Sequence, residues 1–148
     1  MIVACDGAAR GNPGPAGIGV VIVKLDGEVL ATIAEGLGET TNNVAEYTAA
    51  IEGLKRAKEL GATDVLLRSD SRLLIEQLAG AWKVKNERLK RLHAQARELV
   101  RGFPKVKLEH VPRERNKQAD ALANEGVDEW LAAGRPPTEF LAPDLFDA

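Results

Sequence analysis

The sequence predicts an α/β fold in which a mixed five-stranded sheet is flanked by helices. Three short strand-like runs separated by turn signals open the chain, and helical periods then alternate with two further strand-like runs. At 148 residues, with 45% apolar and 28% charged side chains, the composition suits one folded domain rather than a disordered or fibrous chain. A chain of this size buries about 68–70% of the surface its unfolded form exposes.

Met1–Asp6 (MIVACD) is a short apolar run that ends in an acid and reads as a buried strand. Residues 7–17 (GAARGNPGPAG) are rich in glycine and proline and read as a loop. Residues 18–25 and 28–35 flank Asp26-Gly27, a hairpin signal. From Asn42 to Leu60, apolar residues at Tyr47, Ala50, Ile51, Leu54, Ala57 and Leu60 follow the helical period, which Gly61 ends. Residues 63–69 (TDVLLRS) form the next strand, and 71–79 a short helix that stops near Gly80. An amphipathic helix over 87–101 is ended by Gly102 and Pro104, and 105–111 (KVKLEHV) alternates as a strand does. The last helix runs from Asn116 to about Leu131 on Ala119, Leu122, Ala123, Val127 and Trp130. The order β-β-β-α-β-α-α-β-α gives three antiparallel strands and then αβ alternation. Residues 1–132 are expected to form the domain, and 133–148 an acidic, proline-containing tail, flexible or docked, whose Phe140, Leu141, Leu145 and Phe146 offer docking contacts.

No apolar run approaches the roughly 20 residues of a membrane-spanning helix, and no basic stretch leads into an apolar leader. With a single cysteine, Cys5, no internal disulfide is available. A cytoplasmic monomer with no membrane partner is the expectation. The net charge of -2 taken alone argues against a nucleic-acid partner, but its distribution is uneven. Residues 82–101 carry seven basic side chains against Glu87 and Glu98, whereas residues 125–148 carry six acidic ones against Arg135. A basic helix and an acidic tail therefore cancel in the sum, and the helix is a candidate polyanion surface or simply a solvated face.

Four acids stand out by position. Asp6 and Asp70 each follow an apolar strand at its carboxyl end, where open α/β sheets bind their ligands. Gly7 and Ser71 follow them and leave room for a substrate to approach the backbone. Glu46, expected in the first turn of the first long helix, and Asp120, at the start of the last, lie among apolar neighbours. Carboxylates in such surroundings are costly unless paired or bound to a cation. Together they would repel one another, and a divalent metal would relieve the repulsion; oxygen-only donors suit Mg²⁺ or Mn²⁺. Two ions about 3.5–4 Å apart can activate water and stabilise the leaving oxygen of a phosphodiester. The competing roles are strand-end caps for Asp6 and Asp70 and helix-dipole partners for Glu46 and Asp120.

Five segments in order, DGAARGNPGPAGIG (6–19), TTNNVAEYTAAIEGL (40–54), RSDSRLLIEQL (68–78), WKVKN (82–86) and HVPRERNKQADALANEG (110–126), resemble type 1 ribonuclease H over residues 1 to about 127. The resemblance implies the ribonuclease H fold, with the family's acidic tetrad on Asp6, Glu46, Asp70 and Asp120. It implies endonucleolytic cleavage of the RNA strand of an RNA–DNA hybrid with two Mg²⁺ ions, Mn²⁺ being the expected substitute, leaving 5′-phosphate and 3′-hydroxyl ends. Asn12, Asn42 and Asn43 would lie along the minor groove, where amides reach ribose 2′-hydroxyls, and Thr41 and Asn86 would hold a DNA phosphate. An Asn-Asn pair before a helix also reads as an N-cap, and Asn42 can serve both ends.

Relatives with a basic insertion between the short and the long helix differ from this chain, where residues 80–86 connect the two directly, as in the compact subgroup. Trp82, Lys85 and the basic helix would then supply the hybrid-binding surface, unless Trp82 packs into the core at the helix junction. Duplex RNA is a further candidate substrate of that subgroup. His110 stands ten residues before Asp120, at the spacing of the family's mobile histidine, but falls in or at the end of a strand; Arg113, in the following loop, is the preferred replacement. An arginine stays protonated, so it would steer the leaving phosphate or a departing metal rather than shuttle protons. Glu39 stands where some relatives carry an arginine near the phosphate pocket, and Cys5 reads as a small core residue. A proofreading-type exonuclease of the same superfamily would open with Asp-x-Glu, and Asp6-Gly7-Ala8 lacks the second acid. A binding module without catalysis would need a broken tetrad, and all four acids are present.

Overall fold

The computed structural model describes residues 1–138. Its strands are β1 (Ile2–Ala9), β2 (Gly14–Val23), β3 (Val29–Thr40), β4 (Asp64–Ser69) and β5 (Lys105–His110). The helices are α1 (Asn42–Glu59), α2 (Arg72–Leu78), α3 (Glu87–Arg101) and α4 (Lys117–Ala132), with a 3-10 turn at Arg113–Arg115 before α4. The sheet order is β3-β2-β1-β4-β5. β1, β2 and β3 pair antiparallel, while β4 pairs parallel with both β1 and β5. This is the mixed five-stranded sheet expected, with helices on both faces.

Alternation along the strands sets the layers. Val3 and Cys5 of β1 and Val65 and Leu67 of β4 are buried in the core with Tyr47, Ala50, Ile51 and Leu54 of α1. α3 adds Leu89, Leu92 and Ala96 to that core and leaves Lys90, Arg91 and Arg101 exposed, while the half-buried Arg97 donates to the Leu78 carbonyl (3.1 Å). α4 covers β1, β2 and β3 on the other face.

The loop expected over 7–17 is the main correction. β1 continues through Ala9 and β2 begins at Gly14, so that Gly7, Ala8 and Ala9 pair with Ile18, Gly17 and Ala16 and the turn shrinks to 10–13. Gly11 and Gly14 do serve the turn, but Gly7 and Gly17 mark close helix approach instead. A Cβ at Gly17 would collide with the backbone of Ala123 and Val127 in α4, and one at Gly7 with the backbone of Ala45 and Glu46 in α1. β3 likewise runs on to Thr40, five residues past its expected end. Asp26-Gly27 does lie in the β2–β3 turn, but Lys24 and Glu28 close a loop of Leu25–Gly27, with Gly27 at φ +93°.

Beyond α4 the chain turns back along β3. The Trp130 indole N–H donates to the Pro136 carbonyl (2.7 Å), and the Thr138 hydroxyl donates to the Leu37 carbonyl (3.0 Å). Residues 134–138 are therefore docked. The contacts expected of Phe140, Leu141, Leu145 and Phe146 lie outside the described residues.

Candidate active site

The parallel β1–β4 ladder ends at Cys5 and Ser69, one residue before Asp6 and Asp70. The two acids thus leave adjacent strands at the same level. Asp6 is held further by its antiparallel partner Gly19, so it is a mid-strand residue rather than a strand-end cap. Ser69 is fully buried, and its hydroxyl accepts from the Ser71 N–H (3.0 Å), shaping the turn that presents Asp70. Ser71 caps α2 by accepting from the Leu74 N–H (3.2 Å).

Glu46 comes from α1. Thr41 is the N-cap, its hydroxyl accepting from the Val44 N–H (3.3 Å), so the capping role open to Asn42 falls to the residue before it. Helical counting from Asn42 puts Glu46 in the second turn rather than the expected first, so proximity to the helix terminus does not account for its carboxylate. The lack of a side chain at Gly7 lets α1 settle onto β1 at this point and brings Glu46 over Asp6.

Carboxylate oxygens of Asp6, Glu46 and Asp70 lie within 4.8 Å of one another. Asp6 and Glu46 are each only 4% exposed, and one oxygen of Glu46, Oε2, is buried with no hydrogen-bond partner. Burial, then repulsion from Asp70 and the neighbouring Asp120 carboxyl, pushes the Asp6 carboxyl up to about 8. Burial, then repulsion from Asp6 and Asp70, also raises Glu46 well above the usual carboxylate range, against a hydrogen bond from the Gly7 backbone. Such a cluster is held together at neutral pH only by protons or by a cation, and the orphaned Glu46 oxygen suits a hard metal ion. Buried acids with all-oxygen donors fit a divalent cation of the Mg²⁺ class.

Asp120, half-buried in the first turn of α4, borders the same cleft as the other three acids. Gly7, Asn42, Ser71 and Arg113 border it too, as do Arg10 and Asn124, two residues the sequence reading passed over. Asn124 lies one helical turn after Asp120; its amide donates to the Asp120 carbonyl (3.0 Å), and its side-chain oxygen accepts from Arg10 (3.3 Å). The i, i+4 spacing was the available signal for Asn124. Arg10 is brought in only by the continuation of β1. The Arg113 guanidinium is exposed and stands 4.0 Å from the Asp120 carboxylate. His110 is exposed at the end of β5, with its ring nitrogen 3.3 Å from the Asp70 backbone carbonyl, and is not among the residues bordering the cleft. Cys5 is buried with its thiol toward the Arg68 carbonyl, as a core residue.

A second depression is lined by Asn12, Thr41, Asn43 and Asn86, together with Glu87 and Arg88. Two helices begin here, α1 at its Thr41 cap and α3 at Asn86, whose side-chain oxygen accepts from the N–H groups of Arg88 (2.9 Å) and Leu89 (3.2 Å). Their amino-terminal dipoles give the depression a positive bias. The Asn12 side-chain oxygen accepts from the Asn42 N–H (3.0 Å), which ties the β1–β2 turn to the start of α1. Asn12, Asn42 and Asn43 therefore bridge the carboxylate cleft and the second depression. Trp82 is 44% exposed beneath the Arg72 guanidinium (6.0 Å), so it is not the core residue that its place at the helix junction allowed. Lys85 is exposed.

A family model described as "Reverse transcriptase-like" matches residues 4–126. A curated relative, "Ribonuclease HI" of Halobacterium salinarum, is 48% identical over 124 residues, covering 84% of this chain and 62% of the relative. "Bifunctional protein Rv2228c" of Mycobacterium tuberculosis is 43% identical over 148 residues, covering 97% of this chain and 41% of the relative. The chain thus spans less than two thirds of the length of these curated relatives. Among solved structures, "LC11-RNase H1 in complex with RNA/DNA hybrid" superposes with a TM-score of 0.84 at 43% identity, covering 88% of this chain and 98% of that one.

Proposed function

Because the chain belongs to the ribonuclease H family, we propose that it is an endoribonuclease that hydrolyses the RNA strand of RNA–DNA hybrids, leaving 5′-phosphate and 3′-hydroxyl ends. The observation that carries this reading is the convergence of Asp6, Glu46 and Asp70 within 4.8 Å at the mouth of the parallel ladder, with Asp120 on the same cleft. These four carboxylates would hold two Mg²⁺ ions, with Mn²⁺ as the substitute. When bound, divalent cations supply water activation and charge stabilisation at the phosphodiester.

The remaining residues bind and orient. Ser71, small at the edge of the cleft, leaves room for the scissile strand; the space expected to be open at Gly7 is instead taken up by the backbone of Ala45 and Glu46 in α1. Asn12, Asn42 and Asn43 read ribose 2′-hydroxyls across the minor groove, the contact that separates RNA from DNA. Asn12 uses its amide N–H for this, since its oxygen is engaged by the Asn42 backbone. Thr41 and Asn86 seat a phosphate of the DNA strand between two helix amino termini. Trp82, Lys85 and the cationic face of α3 extend the surface along that strand. Arg113, permanently charged at 4.0 Å from Asp120, draws the departing phosphate away from the acids. Residues 1–132 form the catalytic unit and 133–148 an appended tail, in a cytoplasmic monomer. Among the described residues no helix is long and apolar enough to cross a membrane.

The test is cleavage of an end-labelled hybrid with Mg²⁺, beside duplex RNA and duplex DNA, by the wild type and by Asp70→Asn. Internal cuts in the hybrid's RNA strand that disappear in Asp70→Asn are expected. Hybrid binding without cleavage by the wild type would refute the enzymatic reading.

A further inference from the structure

Arg135 carries a contact with no place in the chemistry above. It follows α4 in a left-handed backbone conformation (φ +59°), held by its N–H donating to the Trp130 carbonyl (3.0 Å). Its guanidinium lies over the Trp130 ring (5.8 Å) and pairs with Glu39 at 2.8 Å. The bond from Trp130 to Pro136 ties the same segment to α4, and the bond from Thr138 to Leu37 ties it to β3. A surface ion pair with both partners more than half exposed contributes little to stability. Its placement is what distinguishes it.

Glu39 is two residues before Thr41, roughly 7 Å along an extended backbone and within the Debye length of about 8 Å at physiological salt. An uncompensated carboxylate there would repel a phosphate in the depression of Asn12, Thr41, Asn43 and Asn86. Glu87, an acid that lines the depression itself, is also paired, with Lys90 at 3.0 Å. Glu39 and Glu87 therefore each have a cation of their own, and Arg88 contributes positive charge to the lining of the depression.

We propose that Arg135 is a positioning residue for nucleic-acid binding: by neutralising Glu39 from the docked segment after α4, it keeps the phosphate seat at the start of α1 attractive to a polyanion. This rests on reading that depression as the phosphate seat, so the experiment tests the two separately. Hybrid binding and steady-state cleavage are measured on the full chain at low and high salt for Arg135→Gln, Arg135→Lys, Glu39→Gln, the Arg135→Gln/Glu39→Gln double variant and Thr41→Ala/Asn86→Ala. Lys24→Gln, which removes one positive charge at the far end of β2, is the control.

At low salt, Arg135→Gln should raise KM about two- to fourfold with kcat unchanged, and high salt should abolish the difference. Arg135→Lys and the double variant should restore wild-type KM, Glu39→Gln should match or improve it, and Lys24→Gln should leave it alone. A KM unmoved by Arg135→Gln, alongside a weakened Thr41→Ala/Asn86→Ala variant, overturns the role of Arg135 and leaves the seat standing. A double variant as weak as Arg135→Gln also overturns it, because Arg135 would then act by direct contact or by shape. Normal binding by Thr41→Ala/Asn86→Ala removes the seat and the proposal with it.

Discussion

Asp6 concentrates the physics of the site in one side chain. Its carboxyl titrates near 8 in the fold, against a reference value of 3.8, because it is buried among other acids. The folded state therefore binds a proton that the unfolded chain has released over this interval. That contribution to stability is fully present below about pH 4 and is lost as pH rises toward 8. At about 1.4 kcal/mol per pKa unit, the loss is on the order of a few kcal/mol. Without divalent metal, the melting temperature of the wild type should fall between pH 5 and pH 8 more than that of Asp6→Asn, which cannot ionise there. The two proteins should nearly coincide at pH 5. Added Mg²⁺ should raise the wild-type melting temperature more at pH 8 than at pH 6, since the cation displaces protons from the cluster.

A second prediction at this scale separates Arg113 from His110. Arg113→Ala should lower kcat several-fold with hybrid affinity nearly unchanged, and His110→Ala should change little, as measured by single- and multiple-turnover cleavage. The reverse pattern would reassign the role to the histidine. Spacing in the sequence left both residues open, because ten residues before an acid says nothing about direction. In the structure Arg113 borders the cleft, and His110 lies at the exposed end of β5 with its ring against the Asp70 backbone carbonyl (3.3 Å), so the variants decide between them.

At the scale of elements, the decisive contact is α1 against β1. Gly7→Ala places a methyl group where the backbone of Ala45 and Glu46 lies. Overpacking against rigid backbone costs typically 1–3 kcal/mol and occasionally more. Here it should also push Glu46 away from Asp6. Calorimetry should show the destabilisation, and activity should fall by more than the unfolded fraction explains, with metal-induced stabilisation reduced. The helices were legible in the sequence because their apolar period survives tertiary packing: α3 runs over its expected range, Glu87–Arg101. The strands β1 and β2 were cut short because Gly7, Gly14 and Gly17 read as turn residues. Gly7 and Gly17 are there because α1 and α4 come close, which no local pattern reports, whereas Gly14 lies against the turn backbone of Arg10.

For the whole molecule, the docked segment after α4 links the end of the domain to the sheet edge that leads into α1. Ending the chain at Gly134 removes the Pro136 and Thr138 hydrogen bonds, each worth about 1 kcal/mol. The melting temperature should drop by several degrees, and KM for the hybrid should rise as the Glu39 charge is uncovered. The net charge of -2 is likewise resolved at this scale. Of the cations in 82–101, Lys83 and Lys85 are exposed before α3 and Lys90, Arg91 and Arg101 are exposed on it, while Arg10 takes up Asp128 and Arg135 takes up Glu39.

By itself, the sequence determined the α/β class, the order of elements, the four acids and the family resemblance, because these reside in period, composition and motif. Only the tertiary structure decided that β1 runs past Asp6, that Thr41 rather than Asn42 caps α1, and that Trp82 faces solvent. It also placed Arg10, Asn124 and Arg135, whose partners lie 114, 4 and 96 residues away in the chain. Two of these three contacts are long-range, and long-range contacts are set by packing of whole elements rather than by neighbours in sequence.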